Sequence, residues 1–451
     1  MHIEELHLQN FRGFQELKLK LPPDLAVFIG VNGSGKSSIL DSVAIFLSEF
    51  VSLFNTAFSK FDLTEDDINI NSDTTYNNIS IFTDANTKLI WKNVKSSTKD
   101  LQRLAEYEVI QHNTRMVIHD FAVQIVENIT VLPESSLPIL PILVYYQTNR
   151  ILISSESLED LSKDERENSY INNQFDGYKE SFSRKINDFR DFLYWFKEEE
   201  EYENEVRLRT NANFRSYNLE LIRIALQRFL EGFPNTVFSD LHIVRVSYSR
   251  NGNIRRSIKP SLVIKKNGEN FKLDQLSDGE KTLLMLVVDI ARRLAILNPS
   301  ITDPSELLQK GTGIILIDEI DLHLHPQWQR IVIPSFRRTF PNCQFIVTTH
   351  SPQVLSGVKR ENVFILEDSK VVEFTPHTFG RDSNSILFEV MGVEKRPAQM
   401  QERIDNCFEL IDDGRLEEAK IQLKELSDSL GENDLDIVKA HTLIDFLNRV
   451  E

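Results

Sequence analysis

Gly30-Val31-Asn32-Gly33-Ser34-Gly35-Lys36-Ser37 decides the fold: it fits the pattern G-x-x-x-x-G-K-[ST]. Before it, Asp24 to Gly30 reads as a buried strand. After it, Ser37 to Phe50 reads as a helix, with apolar Ile39, Leu40, Val43, Ile45, Phe46 and Leu47 at helical spacing. In a strand, glycine loop, helix context the loop's backbone N–H groups close around phosphate oxygens, and the helix N-terminus adds a positive dipole. Asn32, Gly33, Ser34, Gly35, Lys36, Ser37 and Ser38 are therefore expected to cradle a nucleotide. Lys36 would reach the β and γ phosphates, and the Ser37 hydroxyl would ligate magnesium.

Downstream, Gly313-Ile314-Ile315-Leu316-Ile317-Asp318-Glu319 is an apolar strand ending in two carboxylates. Asp318 is expected in the magnesium shell, and Glu319 is expected to polarise the attacking water as general base. Between these motifs lies Leu276-Ser277-Asp278-Gly279-Glu280-Lys281. Ser277 followed by Gly279 at a helix start offers a hydroxyl and backbone N–H groups to a γ-phosphate. Taken alone, the same residues read as a capping box of Ser277 and Glu280.

After the carboxylates come Ile320-Asp321-Leu322-His323-Leu324-His325-Pro326 and then Val347-Thr348-Thr349-His350-Ser351-Pro352. His350 closes a strand and is the candidate switch at the γ-phosphate. His323 and His325 beside Asp318, Glu319 and Asp321 do not make a transition-metal site, because alternate residues of a short loop sit at an already assigned magnesium centre. Val144-Tyr145-Tyr146-Gln147-Thr148-Asn149-Arg150 follows another strand. There Gln147 is the candidate third magnesium ligand, with Arg150 or Arg12 as alternative phosphate contacts.

Working outward, strands are expected around Ile3, Leu6 and Leu8 and through Leu17 and Leu19, joined at Asn10-Phe11-Arg12-Gly13-Phe14. Leu101 to Leu230 turns helical and charged, as an inserted lobe. Its run Lys197-Glu198-Glu199-Glu200-Glu201-Tyr202-Glu203 reads as a solvated helix face or loop, or else as an acidic patch for a partner. Strand patterns resume at Leu241–Ser247, Leu262–Ile264, Ile314–Ile317 and Gln344–Thr348. Beyond Pro397, three helical stripes run through Ile404/Cys407/Phe408/Ile411, Leu416/Ala419/Leu423/Leu426 and Ile437/Ala440/Ile444/Leu447. Residues 397–451 hold 14 Asp/Glu against 6 Lys/Arg, a net −8, which favours docking of protein over nucleic acid. The expected layout is 1–100 and 240–396 as two parts of one head, 101–239 as a mostly helical insertion that includes the Gln147 segment, and 397–451 as an acidic helical tail.

The net charge of −17 excludes a surface basic all over, though not a local basic stripe. Cys343 and Cys407 are too few for a disulfide framework and lack metal-ligand spacing, which fits a reducing compartment. No signal peptide and no apolar run of roughly 18 residues is evident, so a cytoplasmic protein without a membrane partner is expected.

The order of these motifs resembles the ABC-type P-loop ATPase heads of RecF, SMC and OLD-type proteins, over about residues 1–100 and 240–375. The resemblance implies an α/β head with an inserted helical lobe and a C-terminal helical appendage. It also implies ATP and Mg2+, and head-to-head pairing in a dimer or higher oligomer, with the signature Ser277 and Gly279 acting on the other subunit's nucleotide. The insertion is too short and broken for SMC arms. Too little chain follows the head for the metal-dependent nuclease domain of OLD proteins, and Asp434-Leu435-Asp436 opens a helix instead of following a buried strand. The group it most resembles is PtuA of Septu anti-phage systems, a type also found with retrons, whose cutting falls to a separate HNH nuclease. The competing readings are a RecF-like repair ATPase that binds DNA in its closed dimer, and a slow nucleotide sensor. A transporter ATPase fits less well, because the Phe11-Arg12-Gly13-Phe14 start is RecF-like.

Overall fold

The computed structural model describes residues 1–55, 58, 60–83, 87–98, 101–148, 173–183, 190–234, 236–250 and 253–450. These form two compact units, Met1–Ser383 and Asn384–Glu451.

The first unit is built on a six-stranded sheet. Its parallel strands are β3 (Leu25–Gly30), β6 (Ile142–Tyr146), β10 (Gly313–Ile317), β11 (Cys343–Thr348) and β12 (Val363–Glu367), with the short antiparallel β13 (Lys370–Val371) at one edge, in the order β13-β12-β3-β11-β10-β6. Every residue of β6, β10 and β11 is buried. That is why they read as unbroken apolar runs: a parallel sheet is covered on both faces. The cover includes helix α1 (Lys36–Ser52), which buries Ile39, Leu40, Val43, Phe46 and Leu47.

A second, antiparallel sheet has the order β2-β1-β4-β5, from β1 (His2–Phe11), β2 (Phe14–Lys20), β4 (Thr74–Phe82) and β5 (Lys88–Ser96). Gln344 stitches it to the main sheet. Wholly buried, its amide accepts from the Ile3 N–H at 2.7 Å and donates to the carbonyls of Ile3 at 2.9 Å and Pro22 at 2.7 Å. A buried amide must satisfy its donors and acceptor, and Gln344 does so with backbone.

Between β5 and β10 come α2 (Leu101–Val131), α3 (Arg190–Arg209) and α4 (Tyr217–Leu230), then the sheet β7 (Phe238–Arg250), β8 (Asn253–Lys266), β9 (Glu269–Lys272), and then α5 (Asp278–Leu297) and α6 (Pro304–Lys310). Within 101–239, β6, which leads into the Gln147 segment, rises into the main sheet beside β10. The acidic run of α3 is solvated on one side, with Glu198 and Glu201 exposed, but not on the other. Glu203 is 1% exposed and pairs with Arg207 at 2.7 Å and Arg223 at 2.9 Å, while Glu199 accepts from the Ser216 hydroxyl and Glu200 from the Ile243 N–H. These carboxylates hold α3 to α4 and β7. A buried charge is tolerated only when paired in this way.

Helix α5 is tied to β6 by a buried network. Asp289 accepts from the Tyr146 hydroxyl at 2.8 Å and from Arg293 at 2.7 Å, and Arg293 also donates to Gly177 O and Ser181 Oγ. Helix α7 (Pro326–Thr339) and the short α8 (Pro352–Leu355) follow β10 and β11.

The second unit holds α9 (Ser383–Glu389, which begins on the last residue of the first unit) and α10 (Ala398–Asp412), α11 (Leu416–Leu430) and α12 (Leu435–Val450). Ile404, Cys407, Ile411, Ala419, Leu423, Leu426, Ile437, Ala440 and Ile444 form its core. Asp434 and Asp436 clasp Arg396 at 2.7 Å each, so this Asp-x-Asp pair is engaged in an ion-pair cluster at the start of α12.

Candidate functional site

The parallel register brings the C-terminal ends of four strands together: Ile317 lies opposite Val347 and Tyr146, and Thr348 opposite Phe28. Chains that leave a parallel sheet at this edge line a crevice where ligands bind. The glycine loop, Asp318-Glu319, Thr348-Thr349-His350 and Gln147-Thr148 all leave here.

The loop's turn depends on Gly35, which caps α1 with φ 101° and on which a Cβ would stand 2.4 Å from the Phe14 ring. Both the conformation and the close approach require glycine. Val31, Asn32, Gly33 and Ser37 are exposed, whereas Ser34 and Lys36 are buried. The Lys36 ammonium donates to Gly30 O at 2.9 Å and Val31 O at 3.0 Å. Burial holds its pKa below the usual lysine value, against the opposing pull of Asp318 and Glu319. Ser34 Oγ is buried without a hydrogen-bond partner.

Asp318 is 6% exposed and receives hydroxyls on both oxygens. Ser37 Oγ lies 3.2 and 3.0 Å from Oδ1 and Oδ2, Thr348 Oγ1 donates to Oδ1 at 2.6 Å, and Thr148 Oγ1 donates to Oδ2 at 2.7 Å. Glu319 takes the left-handed conformation, φ 49°, uncommon for a side-chain-bearing residue, and its N–H donates to Thr348 Oγ1 at 2.7 Å. His350 follows, half-buried, after Thr349. Gln147 donates to Ser183 O at 3.4 Å, and the neighbouring Thr148 donates to the Asp318 carboxylate at 2.7 Å. Thr148 and Thr348 lie in the segments that sequence reasoning singled out for Gln147 and His350, but neither threonine was given a role of its own. Thr348 is the last residue of β11 and Thr148 lies two residues past the end of β6, and no local pattern marks either one.

Arg12, at φ 50°, pairs with Asp41 at 2.6 Å and Asp67 at 2.9 Å, and its Nη1 lies 3.4 Å from the hydroxyl of Ser38 on α1. Asp41 also accepts from Tyr145 at 3.0 Å. Asn149 and Arg150 lie outside the described residues.

The signature segment is both a cap and a contact. Ser277 caps α5: its N–H and hydroxyl donate to Glu280 Oε2 at 2.9 and 3.0 Å, and Lys266 donates to Glu280 Oε1 at 2.6 Å. Burial raises the Glu280 pKa, but Lys266 and the two Ser277 donors outweigh it and hold the carboxylate below its usual range. A Cβ on Gly279 would meet His323 O at 2.4 Å, so the loop after β10 rests directly on the start of α5. His323 has φ 61°, and His325 Nδ1 accepts from the Gln327 N–H at 3.3 Å as the cap of α7. Among the described residues no hydrogen bond joins the side chain of Ser277 to the glycine loop of the same chain.

As a donor set, the Ser37 hydroxyl and the Asp318 carboxylate are hard oxygens suited to Mg2+. The loop's exposed rim, buried lysine and unpartnered Ser34 hydroxyl suit a phosphate chain.

The family described as RecF/RecN/SMC N terminal domain matches residues 2–372. The chain belongs to this family. Its members thus supply the head, and the match ends within the first compact unit. Among curated relatives, the Retron Vc95 probable ATPase of Vibrio cholerae serotype O1 biovar El Tor is 30% identical over 444 residues, covering 90% of this chain and 81% of that one. The Retron Ec83 probable ATPase of Escherichia coli is 28% identical over 436 residues, covering 88% and 78%. The Septu protein PtuA of Bacillus mycoides (strain KBAB4) is 31% identical over 166 residues, covering 35% and 22%. The expected kinship with PtuA is present, and the retron ATPases extend it to nearly the whole chain.

Proposed function

We propose that this chain of the RecF/RecN/SMC family binds and hydrolyses ATP, pairs head to head with a second copy, and regulates a partner nuclease in anti-phage defence. The observation that carries the reading is the convergence of Ser37, Asp318 and Glu319 at one sheet edge beside a buried lysine. In this reading Asn32, Gly33, Ser34, Gly35, Lys36, Ser37 and Ser38 hold the phosphates, Ser37 and Asp318 hold Mg2+, and Glu319 takes the proton of the attacking water while His350 faces the γ-phosphate. Mg2+ bound there would neutralise charge on the β and γ oxygens. Gln147 would join the metal shell through its amide oxygen, its amide nitrogen being the atom that donates to Ser183 O.

Pairing is supported by the signature: Ser277 is exposed and points its hydroxyl into its own cap, so a helix N-terminus is available to a nucleotide held by another subunit. The defence role rests on the names of the relatives, two retron ATPases and a Septu protein. An HNH nuclease is the partner this reading calls for. The test is ATP turnover and mass, with and without Mg2+-ATP, of the wild type and Lys36→Ala. Equal turnover by a folded Lys36→Ala variant would overturn the assignment.

A second reading, a DNA-binding head, has its own support. Residues 241–266 carry seven Lys/Arg and no Asp/Glu, within a chain of net charge −17. The described ones lie in β7 and β8, a long antiparallel pair that runs past the short β9. Such ribbons fit the major groove, and basic side chains neutralise phosphates.

A further inference from the structure

Beyond the end of the β10–β11 pairing, the ladder continues through side chains. Ile317 and Val347 are the last backbone partners. From there Thr348 Oγ1 donates to Asp318 Oδ1 at 2.6 Å and accepts the Glu319 N–H at 2.7 Å. The Ile320 N–H donates to Thr348 O at 3.0 Å, and Thr349 Oγ1 donates to Asp321. Four successive residues, Asp318 to Asp321, are thus fastened to two threonines, and the first two share one hydroxyl that is wholly buried.

The geometry is costly without that hydroxyl. Glu319 sits in the left-handed region, a conformation that persists only where neighbours over-determine it, and the N–H bond to Thr348 is one such constraint. The same hydroxyl orients Asp318, so the rotamer of the proposed metal carboxylate and the backbone of the proposed general base share one hinge atom. Thr348 lies two residues before His350 on the same chain segment, which joins the switch histidine to that hinge.

We propose that Thr348 is a positioning residue that couples Asp318 to Glu319, setting the general base in its productive orientation without touching substrate. The proposal rests on the ATPase reading of those two carboxylates. Thr348→Val keeps the shape and removes both hydrogen bonds; Thr348→Ser keeps the hydroxyl.

The full-length chain is compared in three forms, wild type and the two variants, by steady-state ATP turnover and by amide hydrogen exchange of the peptide covering Asp318–Asp321. Thr348→Val should lower kcat by about tenfold or more, as expected for a displaced general base, with KM for ATP within about twofold. Exchange in the Asp318–Asp321 peptide should accelerate more than in the rest of the sheet. Thr348→Ser should restore both. A Thr348→Val kcat within about twofold of wild type would overturn the proposal. So would acceleration spread evenly over the molecule, which would mean general destabilisation, or a stable Thr348→Ser that fails to recover. If the wild type itself turns over no ATP, the ATPase reading fails separately, and the exchange comparison alone decides whether Thr348 braces Glu319.

Discussion

Ser37 and Asp318 are 281 residues apart in the chain, and their side chains meet at 3.0 Å. The contact joins the start of α1 to the end of β10 across β11, which lies between β3 and β10 in the sheet. It makes one locus of the glycine loop and the carboxylate strand, and the chemistry proposed for that locus sets the expectations below.

Glu319→Gln removes the base but retains side-chain size and the N–H that bonds Thr348. ATP should still bind, and hydrolysis should fall by about 10²-fold or more, as for loss of a general base. The nucleotide-bound pair should then persist, which mass measurement after ATP addition would detect. Hydrolysis at the wild-type rate would remove Glu319 from that role.

The cap at Ser277 should fail in acid. Glu280 has a folded pKa below its ordinary 4.5, so its contribution to stability is complete above that value and is lost as pH falls through the lower folded one. Melting temperature followed downward from pH 5 should drop, and Glu280→Gln should start lower but flatten that part of the profile. Identical slopes for both proteins would show that Glu280 carries none of the acid sensitivity.

The DNA reading predicts its own loss. Arg255→Glu with Arg256→Glu puts two negative charges on β8 at positions that belong to none of the motifs of the proposed ATP site. Duplex affinity should fall by about tenfold or more and its salt dependence should become shallower, with ATP turnover unchanged. Unaltered binding at low salt would locate any DNA surface elsewhere.

Much of this site was legible in the sequence, for a local reason. Gly30 to Ser37 and Gly313 to Glu319 are short motifs whose chemistry and flanking periodicity lie within one stretch of chain. Thr148 and Thr348 gave no such signal, because their role comes from register: β6 and β11 flank β10, so that Thr148, past the end of β6, and Thr348, the last residue of β11, both reach Asp318. For the same reason Gln147 stood out by residue type while its neighbour makes the contact. The acidic run around Glu203 reads locally as a charged helix face, and Arg207 lies one turn along the same helix; that Glu203 is buried depends on Arg223, which becomes its neighbour only once α3 and α4 pack.

Residues 397–451 should dock the partner protein. Their three helices share a core of their own, including Ile404, Leu423 and Ile444, so removing all three leaves no half-buried remnant of that core. The truncated chain should keep nucleotide binding and release a co-expressed HNH nuclease. Co-purification of the nuclease with the truncated chain would move the docking surface to the helices between β5 and β7.

Pairing in trans is the sharpest expectation. In one chain the Ser277 hydroxyl is occupied by Glu280 and bonds nothing in the glycine loop, so the proposed site needs the Ser277 of a second copy against Lys36 and Ser37 of the first. Ser277→Arg spoils the signature side of a composite site, and Lys36→Ala spoils the phosphate side. Each variant alone should be inactive, since both of its sites carry a lesion. In a mixed pair, one site combines both lesions and the other has neither. Turnover should therefore reappear on mixing and rise with the fraction of mixed pairs. If mixing restores nothing although mass measurement shows exchange of subunits, then either the two sites fire only together or Ser277 does not serve its neighbour. Glu319→Gln paired with wild type separates these: partial turnover by that pair would show that one intact site suffices, and the trans arrangement would then be wrong.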